Sequence, residues 1–131
     1  MRLLIDTHSF LWYIGERNRL TAKAQRLIES FDGDVILSIA SVWEISIKKA
    51  LGRLEIEGGF SRLPSILTTF RIELVPIIFD HTLKQSQLPF HHKDPFDRMI
   101  AAQAIVEGLD LVSSDSVFDT YFANTEVARI W

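Results

Sequence analysis

Short apolar runs alternate with helix-like segments along the chain, and this alternation limits the fold more than any other feature. A strand–helix–strand order builds right-handed crossovers and a sheet that helices cover on both faces. The sequence therefore predicts one α/β domain over residues 1–131, with a mostly parallel central sheet flanked by helices. The runs are short, apolar and bounded by polar or turn residues, which predicts strands over 2–6, 35–38, 73–78, 110–113 and 125–130.

Capping residues and glycines set the predicted helix boundaries. Asp94 suits an N-cap, Pro95 suits the first helical position, and Gly108 suits the end of the same helix. Ser41 is predicted to open a helix and Asp80 to cap a short one. The other helices are predicted over 8–14, from an N-cap at Thr21 to Phe31, over 64–70, and within 114–122.

Composition limits the chemistry available to the chain. It has 131 residues, no cysteine and a formal net charge of −3. The lack of cysteine excludes disulfides and thiolate metal sites, so any metal is held by oxygen or imidazole, which favours magnesium, calcium or manganese over structural zinc. The acidic balance gives no general attraction to nucleic acid. The first residues do not form a signal peptide or membrane anchor, and we expect a cytoplasmic protein.

Four acidic residues are placed where a parallel α/β fold binds ligands. Asp6 ends the first predicted strand, and Asp115 follows the fourth by two residues. Glu44 and Asp97 each lie in the first turn of a predicted helix that follows a strand or loop. Because strand carboxyl ends and the helix starts after them share one edge of the sheet, we expect these four carboxylates to converge.

Converging carboxylates repel each other. At ~4 Å and an effective dielectric of ~20, each pair costs roughly 4 kcal/mol. Shared protons, basic side chains or a divalent cation relieve the repulsion, and one or two magnesium or manganese ions can support phosphodiester hydrolysis. Each acid alone also has a structural interpretation. Glu44 fits a capping box with Ser41, Asp97 complements a helix dipole, and Asp6 and Asp115 suit turns.

The ordered motifs resemble those of a known family. Asp6-Thr7-His8, Ser41-x-x-Glu44, Asp94-Pro95-Phe96-Asp97-Arg98 and Ser113-Ser114-Asp115 follow one another as in PIN domains. More narrowly, the chain resembles the VapC-type toxins of bacterial toxin–antitoxin pairs, over essentially its whole length. The resemblance implies a PIN-like fold and a magnesium- or manganese-dependent endoribonuclease. It also implies a homodimer that a cognate antitoxin holds inactive.

The resemblance also implies roles for individual residues. Asp6 and Asp97 are the expected principal metal ligands, Glu44 binds metal or orients the attacking water, and Asp115 completes the acidic ring. Thr7 and Ser114 are expected to supply hydroxyls that hydrogen-bond a carboxylate or water. His92 and Arg98 are candidate RNA contacts. Arg98 equally suits a structural ion pair, and His92 equally suits solvated surface.

Two other functions compete with the nuclease. The first is a phosphatase or phosphotransferase that uses Asp6 as its nucleophile. That chemistry usually wants a second acid two residues later, whereas this chain has His8, and no partner lysine is evident. The second is a non-catalytic binding module on the same scaffold. An intact set of four acids argues against it.

Overall fold

The computed structural model describes residues 2–30 and 34–131. The predicted helix end at Phe31 lies outside the described residues. In the described part, five strands are β1 (Leu3–Ile5), β2 (Val35–Ser38), β3 (Ile72–Val75), β4 (Asp110–Val112) and β5 (Arg129–Ile130). The α-helices of the same part are α1 (Thr7–Gly15), α2 (Ala22–Ser30), α3 (Ile39–Ala50), α4 (Leu63–Thr69), α5 (Phe79–Gln87), α6 (Pro95–Glu107) and α7 (Val117–Phe122).

The strands form one sheet in the order β3-β2-β1-β4-β5, and every described pair is parallel. The predicted α/β fold is confirmed. Strands β1, β2 and β3 follow one another toward one edge of the sheet. The chain then returns to the other side of β1, where β4 and β5 extend the sheet toward the opposite edge. Connections therefore leave β1 and β4 in opposite directions, and the carboxyl ends of these two strands border the crevice where such sheets bind ligands.

Helices cover both faces of the sheet because the strands are apolar on both sides. Leu3 and Ile5 of β1 point into a core that contains side chains of α1, α2 and α4, whereas Leu4 points into a second core with α6 and α7. All three strand residues are at most 1% exposed. The sheet is thus fixed from both sides, which holds its carboxyl edge in place. No described helix has the length and apolar character needed to cross a membrane.

The predicted boundaries of four elements were wrong. Helix α3 begins at Ile39 rather than Ser41, because the Ser38 hydroxyl at the end of β2 accepts the amide of Ala40 at 3.0 Å. Helix α5 begins after Ile78, so Asp80 lies inside its first turn rather than capping it. Strand β3 covers 72–75 rather than the predicted 73–78. Strand β5 covers 129–130 rather than the predicted 125–130.

Candidate metal centre

Asp6 connects the two central strands at their carboxyl ends. It follows β1 directly and caps α1, with its Oδ1 accepting the Ser9 amide at 2.9 Å. Its Oδ2 accepts the Ser113 hydroxyl at 2.6 Å. Asp6 is 5% exposed, and burial raises its pKa although these hydrogen bonds act in the opposite direction. The chain therefore holds a desolvated carboxylate in a fixed orientation at the sheet edge.

The hydroxyl beside Asp6 corrects a sequence prediction. Ser114 is exposed, whereas its neighbour Ser113 is fully buried and donates to Asp6. The parallel register explains the difference, because Ile5 pairs with Val112, which places the next residues of both strands side by side. A correct prediction of this register would have identified Ser113 as the hydroxyl that contacts Asp6. Thr7, the other predicted hydroxyl, does contact a carboxylate, that of Glu44.

Glu44 reaches the same edge from α3. It lies in the second turn of that helix, not the first, because α3 begins at Ile39. The Thr7 hydroxyl donates to Oε1 at 2.7 Å, and Lys48 Nζ lies 3.1 Å from Oε2. Glu44 does not form the predicted capping box with Ser41, whose buried hydroxyl lies 2.9 Å from that of Thr7. Glu44 is 6% exposed, so its charge is balanced by Lys48 inside the protein.

Asp94 and Asp97 divide two tasks at the start of α6. The Asp94 Oδ1 accepts the amides of Phe96 and Asp97 at 2.8 and 3.3 Å, which confirms it as the N-cap. Asp97 then projects its carboxylate toward the other acids. Burial, followed by the charges of Asp94, Asp6, Glu44 and Asp115, raises the pKa of Asp97 to about 8. The structure therefore brings the other three predicted acids within electrostatic reach of Asp97.

Asp115 and His92 complete the edge. The Asp115 Oδ1 accepts the Val117 amide at 3.0 Å at the start of α7, which leaves Oδ2 toward the centre. His92 Nε2 lies 3.4 Å from Asp115 Oδ2 and 3.4 Å from Asp97 Oδ2. Of these two acids, Asp115 is the more exposed, with 41% of its side-chain surface accessible to solvent. One oxygen from each of these acids and the histidine nitrogen lie within 4.8 Å of one another.

Arg98 does not occupy the position that a phosphate contact needs. It is 2% exposed, and its guanidinium donates to the carbonyls of Gln85, Leu88 and Pro89 at 2.9, 3.2 and 2.8 Å. Its face also lies 4.1 Å from the Phe90 ring centroid. The buried side chain therefore stabilises the loop before α6. Its burial and these hydrogen bonds argue against the predicted RNA contact.

The donor set fits a hard divalent cation. The converging acids offer carboxylate oxygens, which magnesium and manganese prefer. Burial first, and then the charges of the other acids, raise the pKa of Asp97, so a nearby positive charge would stabilise its ionised form. A cation bordered by Asp6 and Asp97 would supply that charge. Asp6, Asp97, Glu44 and Asp115 are the residues able to hold it.

Comparison with known proteins agrees with this geometry. The family model described as the PIN domain matches residues 3–122. Among solved structures, the chain is similar to VapBC2 from Rickettsia felis bound to a promoter DNA fragment, with 17% identity, a TM-score of 0.73 and 98% of each chain covered. It is similar to DNA-bound VapBC from Salmonella typhimurium, with 15% identity, a TM-score of 0.69 and 98% of each chain covered.

A third similar structure is VapBC-1 from nontypeable Haemophilus influenzae, with 17% identity and a TM-score of 0.68. It covers 97% of this chain and 96% of the other. At these identities the three structures support the fold. A search of curated protein sequences finds no match.

Proposed function

The chain belongs to the PIN-domain family, and we propose that it is a magnesium- or manganese-dependent endoribonuclease, the toxin of a toxin–antitoxin pair. Nuclease activity is typical of PIN-domain toxins, and the family generally uses these two ions. One observation carries the proposal for this chain. Burial first, and then the charges of four surrounding carboxylates, raise the pKa of Asp97 to about 8, and a bound cation would relieve the repulsion between these charges.

The four acids take different parts in the proposed reaction. When bound, the metal supplies a Lewis acid that activates water and stabilises the leaving oxygen of the phosphodiester. Asp6 and Asp97 hold it, and Asp115 closes the acidic ring on the exposed side. Glu44 orients the attacking water, since Thr7 and Lys48 contact its two oxygens and hold the carboxylate in one orientation.

Neighbouring side chains keep this set in place. The Ser113 hydroxyl fixes the rotation of the Asp6 carboxylate from β4, and the Thr7 hydroxyl fixes Glu44 from the start of α1. Asp94 takes the N-cap of α6 and so directs Asp97 into the centre. The proposed nuclease spans residues 1–131 and acts in the cytoplasm.

The proposal includes protein partners. The solved structures similar to this chain include VapBC complexes and a toxin–antitoxin complex from Klebsiella pneumoniae, which supports a cognate antitoxin. Helix α3 carries an exposed apolar stripe with a four-residue repeat, which supports contact with another protein or a second copy. Its members are 37–61% exposed: Ile39, Trp43, Ile47 and Leu51. A homodimer is expected in solution, to be checked by light scattering.

An RNA digest tests the activity. Wild-type protein, freed of any co-purified partner as judged by mass spectrometry, is incubated with structured RNA in manganese or magnesium, with and without EDTA. Cleavage should require metal and be lost in Asp6→Asn. Asp80→Asn is a matched control, since Asp80 is an exposed acid in the first turn of α5 and is not among the charges that raise the pKa of Asp97. Cleavage that survives EDTA, or that persists in Asp6→Asn, would contradict the mechanism.

A further inference from the structure

The loop between α5 and α6 is held rigidly on the side away from the acids. The buried Arg98 guanidinium donates to the carbonyls of Gln85, Leu88 and Pro89. On the other side, the backbone amide of His92 donates to the Tyr121 hydroxyl at 2.9 Å. These bonds tie the loop both to α6 and to α7. The backbone of His92 therefore has little freedom to move relative to the acids.

The His92 ring has a defined hydrogen position. Its Nδ1 accepts the backbone amide of Asp94 at 3.1 Å, so a neutral ring carries its proton on Nε2. That nitrogen lies 3.4 Å from Oδ2 of Asp97 and from Oδ2 of Asp115. Both distances exceed the usual hydrogen-bond length, so the ring nitrogen lies between the two oxygens, at the same distance from each, without a full hydrogen bond to either.

We infer that His92 is a positioning residue, whose Nε2–H links the carboxylates of Asp97 and Asp115 and sets their separation. This inference rests on the proposed metal-dependent nuclease and assigns His92 a task other than RNA contact. The two acids come from different elements, α6 and the loop after β4, and Asp115 is 41% exposed in its side chain. Without the His92 N–H, the Asp115 carboxylate would keep the Val117 amide at Oδ1 but would lose the donor that faces Oδ2.

The same geometry argues against His92 as a metal ligand. Ligation through Nε2 requires a lone pair there and therefore a proton on Nδ1. That proton would face the Asp94 amide, and two donors would then oppose each other at 3.1 Å. The Asp94 amide thus selects the tautomer that donates to the acids. Partners that fix metal ligands in this way typically contribute 10- to 100-fold in metal affinity or activity.

A measurement on the metal-free protein tests the tautomer directly. Long-range ¹H–¹⁵N correlation of the full chain, with His92 assigned by comparison with His92→Gln, should report an Nε2–H ring. The spectrum is recorded in EDTA, so its result is independent of catalysis. An Nδ1–H ring at His92 would overturn the inference.

Manganese binding tests the role. Calorimetric titration of His92→Ala should show roughly 10-fold weaker manganese binding than wild type, and His92→Gln, which keeps an N–H donor, should recover part of it. His91→Ala is the matched control, because His91 is the exposed neighbouring histidine. In RNA cleavage, excess manganese should restore kcat of His92→Ala with KM for RNA unchanged. Circular dichroism confirms that each variant folds.

The outcomes separate this inference from the proposed function. An active wild type with His92→Ala binding manganese as tightly as wild type would overturn the positioning role alone. A raised KM for RNA that manganese does not relieve would instead make His92 a substrate contact and would also overturn it. Nitrogen coupling to bound Mn²⁺ in pulsed electron paramagnetic resonance, lost in His92→Gln, would make it a ligand. A wild type that neither binds manganese nor cleaves RNA would overturn the proposed function itself.

Discussion

The ionisation of Asp97 should make the metal-free protein less stable as the pH rises. Its pKa is raised from 3.8 to about 8, first by burial and then by the charges of Asp94, Asp6, Glu44 and Asp115. Between these two values the unfolded chain ionises at this position while the folded chain keeps its proton. The stability contributed by that proton is therefore fully present below pH 3.8 and is lost progressively up to about pH 8.

The substitution Asp97→Asn isolates this effect, because asparagine resembles the protonated acid and cannot ionise. A shift of one pKa unit corresponds to about 1.4 kcal/mol, so the full shift sets an upper limit of roughly 6 kcal/mol at pH 8. The side chain of Asp97 is 20% exposed, and relaxation of the other acids reduces that limit. We expect Asp97→Asn to be more stable than wild type by about 2–4 kcal/mol at pH 8, with no difference near pH 4.

Denaturation in EDTA across pH 4 to 8.5 measures the difference. For a chain of this length, 1 kcal/mol moves the melting temperature by roughly 4 °C, so the effect is readily resolved. Added manganese should stabilise wild type and leave Asp97→Asn nearly unchanged. Asp80→Asn again serves as control and should shift stability by less than about 0.5 kcal/mol at every pH. A pH-independent difference, or a variant less stable than wild type at pH 8, would refute the reasoning about the acids.

Three substitutions test other parts of the structure. Ser113→Ala removes the hydroxyl that donates to Asp6. We expect it to lower the stability measured by denaturation, or the manganese affinity measured by calorimetry, by about 1–2 kcal/mol. The control Ser114→Ala should change neither quantity. Ser38→Ala should cost about 1 kcal/mol in urea denaturation by removing the N-cap of α3; an unchanged midpoint would contradict that capping role. Arg98→Met should cost on the order of 3 kcal/mol in the same assay, with RNA affinity of the folded protein unaffected; a selective loss of RNA binding would restore Arg98 as a phosphate contact.

Much of the fold follows from local sequence signals. The strand at 35–38 and the helix from Pro95 to Gly108 were predicted correctly, because apolar runs, an Asp-Pro start and a glycine end are read from adjacent residues. The placement of Asp6 and Asp97 at one edge follows from the same signals. Helix α3 was predicted to begin two residues late, because Ser38 and Ser41 both suit a cap and only the end of β2 decides between them.

The finer details of the site depend on contacts between distant segments. Ser113 rather than Ser114 meets Asp6 because of the register between β1 and β4, which a short apolar run does not encode. Arg98 is adjacent in sequence to Asp97 yet points into the protein, since successive side chains of an α-helix point about 100° apart around its axis. The position of His92 between two acids depends on the loop that Arg98 holds.

The most direct test of the central claim is a crystal structure of the active protein grown with manganese, with anomalous scattering to locate the ion. We predict an ion at the carboxyl edge of β1 and β4, bound by carboxylate oxygens of Asp6 and Asp97, and its loss in Asp6→Asn. An active protein whose manganese binds elsewhere, or whose four acids hold no ion at saturating manganese, would contradict this prediction.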